Sequence, residues 1–138
     1  LYLTKGLIPL LSLVEGAQII NIGSIAGKEV YPNGNVYCAS KHAVDALTRA
    51  MRIDFLPLNI RVSSVSPGMV ETEFSLVRFK GDANRASSVY KGMEPLKAED
   101  IADSIKYIID SPNRVTIGDI LILPSAQAAS RDVKRENN

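Results

Sequence analysis

The stretch Ala17-Gln18-Ile19-Ile20-Asn21-Ile22-Gly23-Ser24 decides the fold class of this chain. Its first six residues are short, mostly apolar and rich in isoleucine, which is typical of a strand buried on both faces of a parallel sheet. Residues 60–65, before the chain breaker Pro67-Gly68, are a second buried-strand candidate, and residues 117–123 are the last strand. We therefore predict three buried strands.

Helical spacing of apolar residues marks the segments between these strands. Residues 1–14 carry leucines at this spacing and are expected to form the later part of a helix, interrupted or kinked at Pro9. Residues 96–111 carry an isoleucine stripe. Residues 36–57 are predicted to form a long helix whose stripe has many small residues, which permit close approach to another helix or to the sheet: Val36, Ala39, Ala43, Ala46, Leu47, Ala50 and Ile53.

Helix and strand alternate along the chain, which predicts an α/β domain with a parallel sheet and helices on both faces. Three strands alone make a poor complete domain, so we expect further strands before Leu1 and one domain over residues 1–138. Residues 25–35 are expected to be a loop. Residues 69–95 are irregular, and such segments often lie over a ligand. We expect residues 125–138 to form a flexible tail.

Composition excludes several classes of function. The 138 residues include 16 basic and 15 acidic side chains, a net charge of +1, which argues against nucleic acid as a partner. The apolar stretch 6–14 is shorter than the roughly 20 residues that cross a bilayer, so no membrane association is expected. With one cysteine, Cys38, and one histidine, His42, we expect no metal site. A soluble cytoplasmic protein is the expectation.

Tyr37 and Lys41 are four residues apart on the predicted long helix and therefore share one face. A phenol ionises near pH ~10, and an adjacent ammonium favours the phenolate, so Tyr37 could serve as a general acid or base. Ser24 ends the preceding strand thirteen residues earlier, at the edge where parallel sheets bind ligands. Taken singly, such a pair is more often solvated and such a serine more often part of a turn; their combination favours catalysis.

These motifs resemble those of the short-chain dehydrogenase/reductase family. The resemblance rests on Asn21-Ile22-Gly23-Ser24-Ile25-Ala26-Gly27, on Tyr37-Cys38-Ala39-Ser40-Lys41 and on Pro67-Gly68-Met69-Val70-Glu71-Thr72. It implies a Rossmann-like, doubly wound parallel sheet of which this chain is the C-terminal half. The glycine-rich turn that binds phosphate would lie in the half before Leu1.

The resemblance also implies roles for individual residues. Tyr37 would transfer the proton, Lys41 would bind the nicotinamide ribose and favour the phenolate of Tyr37, and Ser24 would hold the substrate oxygen. The nicotinamide end of the cofactor would be wrapped by a loop containing Pro67, Gly68, Val70 and Thr72.

A narrower resemblance suggests the substrate class. Residues 71–82 look like the branch that contains NADP-dependent 3-hydroxy acid dehydrogenases, which implies NADP as cofactor and an acid such as serine or allo-threonine as substrate. Arg78 is then a candidate for binding the substrate carboxylate, and a surface arginine is the alternative.

Assembly and activity of the chain are further expectations. Members of the family form dimers or tetramers through the helices that correspond to residues 1–14 and 36–57 and through the last strand, which implies a homo-oligomer. The alternatives to an enzyme are an inactive fragment and a non-catalytic interaction module of the same fold.

Overall fold

The computed structural model describes residues 1–136. Its strands are β1 (Gln18–Ile22), β2 (Arg61–Pro67) and β3 (Asp119–Ile122). Its helices are α1 (Tyr2–Leu11), α2 (Asn35–Asp54), α3 (Phe74–Arg78), α4 (Ala83–Ser88) and α5 (Ala98–Ile109). Short 3-10 turns lie at Ile25–Gly27 and Leu56–Leu58.

The three strands form one parallel sheet in the order β1-β2-β3. Ile22 lies opposite Val65, and Pro67 lies opposite Ile122, so all three strands end at one edge. The predicted α/β fold with a Rossmann-like parallel sheet is therefore confirmed, and the segments that follow β1 and β2 leave the sheet at the same edge.

Helices α2 and α5 cover opposite faces of the sheet. Alternate residues of a strand point to opposite faces. Ser64 belongs to a hydrogen-bonded group that reaches α2, whereas Arg61 donates to the carbonyl oxygens of Ser111 and Val115, just after α5. Val62 and Val65 are fully buried and point to opposite faces of the sheet, and Ile108 of α5 is buried as well.

The predicted helices differ from the observed ones at their ends and in their exposed faces. Helix α2 stops at Asp54 because Pro57 shapes the next turn as a 3-10 helix, and Asn59 closes it with a φ of 54°. Helix α1 continues through Pro9 to Leu11. No helix among residues 1–136 is long and apolar enough to cross a membrane.

The stripe of small apolar residues on α2 does not pack against the sheet. Val36 and Ile53 are 78% and 73% exposed, and the alanines between them are exposed too. Helix α1 has no buried residue, and its Leu3 and Leu10 are exposed. Two apolar helix faces thus remain uncovered in this chain.

Residues 125–136, expected to form a flexible tail, make hydrogen bonds to distant segments of the chain. Gln127 is 5% exposed, and its Oε1 accepts a hydrogen bond from the backbone N–H of Met69 at 2.9 Å. Ser130 donates its N–H to the Glu29 carboxylate at 2.8 Å, and Glu136 donates its N–H to Gly92 O at 2.8 Å. These bonds to distant segments fix the backbone, which composition alone did not indicate. Residues 137–138 lie outside the described part of the chain.

Candidate active site

Tyr37 and Lys41 lie on the first turns of α2, beside the end of β1. The Lys41 Nζ atom lies 6.0 Å from the centroid of the Tyr37 ring and donates to the carbonyl of Ile22 at 3.0 Å. Burial lowers the pKa of the Lys41 ammonium below its usual range. Because water screens a half-buried charge less, the field of Lys41 acts more strongly on the neighbouring phenol than it would at the surface.

Ser24 begins the 3-10 turn that follows β1. It has an extended backbone, it is 9% exposed, and its Oγ accepts a hydrogen bond from the N–H of Ala26 at 3.1 Å. This bond leaves the hydroxyl proton of Ser24 available to a substrate oxygen. The turn is packed tightly against α2, since a Cβ atom at Gly27 would lie only 2.7 Å from the backbone oxygen of Lys41. The glycine thus allows the Ser24 turn and α2 to come close.

The loop after β2 runs along the same edge of the sheet. Pro67 is buried and Gly68 donates its N–H to Ile122 O at 2.8 Å, so the loop starts from the sheet itself. Val70 then pairs with Leu96 in an isolated parallel bridge. Thr72 is exposed, and its Oγ1 accepts from the N–H of Phe74 at 3.2 Å.

Helix α3 follows this loop and brings Phe74 onto Tyr37, with ring centroids 5.6 Å apart and planes inclined by 49°. Arg78, at the exposed end of α3, lies near Tyr31. Burial raises the pKa of the Tyr31 phenol, and the positive charge of Arg78 opposes that rise. Arg78 is therefore directed toward the side of the site where Tyr31 and Tyr37 meet.

Comparison with known proteins places this arrangement in a family. The sequence profile of a family described as short chain dehydrogenase matches residues 1–82, more than half of the chain. The chain belongs to this short-chain dehydrogenase family. The matched residues contain Ser24, Tyr37 and Lys41, as well as the loop after β2.

Individual relatives share nearly the whole chain. An NADP-dependent 3-hydroxy acid dehydrogenase of Schizosaccharomyces pombe is 42% identical over 97% of this chain and 52% of its own length. A sulfoacetaldehyde reductase of Chromohalobacter salexigens is 42% identical over 92% of this chain and 51% of its own length. A serine dehydrogenase solved in a closed form with NADP+ superposes with a TM-score of 0.90 at 35% identity, covering 98% of this chain and 55% of that one. The chain thus spans about half the length of these short-chain dehydrogenases.

The residues present fit the nicotinamide end of a cofactor. Lys41 uses one of its three N–H donors on Ile22 O, so two remain for ribose hydroxyls at the strand ends. The backbone of Gly68 lies close to the side chains of Gln127 and Leu123. A Cβ atom at Gly68 would lie 2.3 Å from Gln127 Oε1 and 2.7 Å from a methyl carbon of Leu123. Gln127 and Leu123 thus pack against the start of the loop after β2.

Sequence reasoning missed two residues at this site. Tyr31 stood in a segment interpreted only as a loop, and Gln127 stood in a segment interpreted as a tail. Gln127 fixes the loop after β2 through Met69, and Tyr31 faces Arg78. Gln127 had no sequence signal. Tyr31 is an aromatic residue six positions before Tyr37, and that proximity could have drawn attention to it.

Proposed function

We propose that this chain carries the catalytic half of an oxidoreductase that transfers a hydride between NADP(H) and the hydroxyl or carbonyl group of a small hydroxy acid. The observation that carries the proposal is the half-buried Lys41 ammonium on the same helix face as Tyr37, at the strand end that also holds Ser24. This arrangement provides a proton donor, a cation and a hydroxyl at one edge of the sheet.

Each residue has a distinct task in this proposal. The Ser24 hydroxyl donates a hydrogen bond to the substrate oxygen and orients it. The Tyr37 hydroxyl gives a proton to that oxygen during reduction, or takes it during oxidation. Lys41 stabilises the phenolate form and binds the ribose. The bound nicotinamide supplies the hydride acceptor or donor.

NADP is the proposed cofactor because two of the relatives above are named or solved with it. The loop with Pro67, Gly68, Val70 and Thr72 would hold its nicotinamide end. The pyrophosphate-binding turn would belong to the portion of the domain that precedes this chain in the relatives.

An acid substrate is supported by the surroundings of Arg78. Its guanidinium lies near the Tyr31 phenol, and both groups can donate to an anionic oxygen. The relatives named above are named for a 3-hydroxy acid, for sulfoacetaldehyde and for serine, and in each of these compounds one carbon atom separates the reacting carbon from an anionic group.

The test uses the completed enzyme, which is this chain joined to the sequence that its gene encodes before Leu1. If the gene encodes none, the corresponding segment of the S. pombe relative is joined instead. NADP reduction is followed by nicotinamide absorbance with serine, allo-threonine and 3-hydroxypropionate. Turnover of at least one of these acids supports the proposal. If none of them is oxidised, small hydroxy acids are excluded as the substrate class.

Replacing Arg78 by alanine is expected to lower kcat/KM for acid substrates by about tenfold or more, since a charge-assisted hydrogen bond contributes about 1.5–3 kcal/mol before screening at an exposed site. Oxidation of a neutral alcohol of the same length should change little. The matched control is Arg85→Ala. The guanidinium carbons of Arg85 and Arg78 both lie over the Phe79 ring, 4.6 Å and 5.7 Å from its centroid. Equal losses for acid and alcohol would contradict the role of Arg78.

We also propose that the uncovered apolar faces of α1 and α2 contact a second copy of the chain in the completed enzyme. The double variant Leu3→Glu/Leu10→Glu places charges on two exposed leucines of α1 and is expected to convert the oligomer to a monomer, measured by light scattering after gel filtration. Val30→Glu, at an equally exposed site outside both helices, should leave the mass unchanged. An unchanged oligomer in the double variant would exclude α1 from the interface.

The alternative is that the 138 residues alone form an inactive fragment or a non-catalytic module. It is favoured by the span of the chain, about half the length of its relatives. Turnover by the completed enzyme together with none by the isolated chain would reconcile both proposals.

A further inference from the structure

The face of α2 that packs on the sheet carries polar side chains along its whole length, beside apolar ones such as the buried Cys38. Tyr37 and Lys41 begin this face, and each later member bonds to a strand or to the segment beside it. Thr48 accepts from Asn21 of β1 at 2.9 Å, and Arg52 donates to Val62 O of β2 at 2.8 Å and to Gly118 O at 2.5 Å. The contact between α2 and the sheet therefore includes several directional hydrogen bonds.

Lys28 lies at the middle of this contact, directly after the turn that holds Ser24. Its ammonium bonds to Asp45 of α2 at 2.5 Å and to Asp119 of β3 at 3.1 Å. Asp119 also accepts from Ser64 at 2.5 Å and from Ser66 at 3.0 Å. These five residues, the Lys28 network, join α2 to β2, β3 and the Ser24 turn.

The charges of the network hold each other in place. Burial disfavours the ammonium of Lys28, but its bonds to the two aspartates raise its pKa overall. Burial likewise disfavours the carboxylate of Asp119, but bonds from Ser64, Lys28 and Ser66 lower its pKa overall. Ser64 and Ser66 are 3% and 2% exposed, so their hydroxyls depend on Asp119 for partners. Every member of the network therefore has a hydrogen-bonding partner within it, and Asp45 is paired with Arg49 as well.

Such a network fixes geometry more than it adds stability. Replacing a partly buried ion pair by apolar residues is often neutral for stability, whereas hydrogen bonds of defined direction select one arrangement of the groups they join. Apolar contacts would let α2 rotate or slide by small amounts. A shift of about 1 Å at a reacting group can cost about 100-fold in rate.

We propose that the Lys28 network sets the rotation and axial position of α2 against the sheet, and that Lys28 is thereby a positioning residue for Tyr37. Asp45 lies two turns after Tyr37 on the same face, so a rotation of α2 at Asp45 is carried directly to Tyr37. The consequence for the rate rests on the proposed function; the consequence for the geometry of α2 does not.

The kinetic test compares Lys28→Met, Lys28→Arg and Lys106→Met in the completed enzyme. Lys106 pairs with Asp110 on the exposed face of α5 and serves as the matched control. Lys28→Met is expected to lower kcat about tenfold, equivalent to about 1.4 kcal/mol, with both KM values changed by less than about threefold. Lys28→Arg should recover most of kcat, and Lys106→Met should match the unsubstituted enzyme. Unchanged kcat in Lys28→Met would overturn the proposal.

Amide hydrogen exchange tests the geometry without any substrate. In Lys28→Met the amides of residues 35–41 should exchange several-fold faster than in Lys106→Met, with protection of α5 unchanged. Equal exchange in the two variants would overturn the proposal, as would a uniform increase over the whole chain, which indicates general destabilisation. If the unsubstituted completed enzyme turns over no hydroxy acid, the proposed function fails while this exchange result still decides the inference.

Discussion

Replacing Tyr37 by phenylalanine in the completed enzyme is expected to lower kcat by about 10³-fold, within the range that general acid–base catalysis contributes. The substitution removes the proton donor and keeps the ring that packs on Phe74. Lys41 retains its bond to Ile22 O, so the affinity for NADPH should change by no more than about twofold. Turnover is measured by nicotinamide absorbance and binding by fluorescence titration.

The control for this variant is Tyr107→Phe. Tyr107 is 65% exposed on α5, and its hydroxyl has no part in the proposed site. This variant should turn over substrate at the rate of the unsubstituted enzyme. If Tyr37→Phe keeps the same rate as its control, the assignment of the proton donor is wrong, even if the chain proves to be an oxidoreductase.

Replacing Gly27 by alanine is expected to lower the free energy of unfolding by about 2 kcal/mol and the melting temperature by about 4–8 °C. The added Cβ would lie 2.7 Å from Lys41 O and 3.0 Å from Lys41 C, both backbone atoms of α2 that no change of rotamer can move. Helix α2 must therefore shift away from the Ser24 turn. We expect kcat to fall by about tenfold as well, because Tyr37 moves with α2.

Gly6→Ala provides the comparison for this steric effect. A Cβ atom at Gly6 meets no atom within 4 Å, and Gly6 lies inside α1, where alanine is favoured over glycine by up to about 1 kcal/mol. This variant should be as stable as the unsubstituted protein or slightly more so, in urea unfolding. If Gly27→Ala has the same stability and rate as Gly6→Ala, the space between the Ser24 turn and α2 is large enough for a methyl group, and the close contact is contradicted.

The sheet could be predicted from sequence because its signals are local. Residues 17–22 form a short, mostly apolar run between Gly16 and Gly23, residues 60–65 precede the breaker Pro67-Gly68, and both segments form strands. The third strand proved shorter than predicted, Asp119–Ile122, because its pairing starts only where Ser64 meets Asp119. Strand existence follows from composition, whereas strand ends depend on partners that composition does not show.

The packing of α2 could not be predicted from its apolar pattern. The stripe from Val36 to Ile53 suggested one packed face, but the sheet receives the polar face with Lys41, Asp45 and Thr48. Hydrogen-bonding groups on β1, β2 and β3 select that face, and their positions depend on the tertiary structure. Polar residues at every third or fourth position of a helix normally indicate a face that is exposed to solvent. Such a face packs on a sheet only where the facing strands carry polar side chains too.

Motifs within one or two elements were enough to find the candidate catalytic residues, whereas longer-range contacts were hidden. Tyr37 and Lys41 share a helix, and Ser24 ends the strand before it, so spacing alone grouped them. Gln127 reaches Met69 across 58 residues, and no spacing rule connects the two. The roles of the grouped residues remain predictions for the experiments above.

The most direct test of the central claim is the stoichiometry of NADP reduction by the completed enzyme. With purified enzyme and an excess of NADP, the account predicts one NADPH formed for each molecule of hydroxy acid consumed, with no reduction in the Tyr37→Phe variant on the same time scale. Substrate left intact with no NADPH formed, for every hydroxy acid and neutral alcohol tried, would contradict the claim that this chain carries the catalytic half of a dehydrogenase.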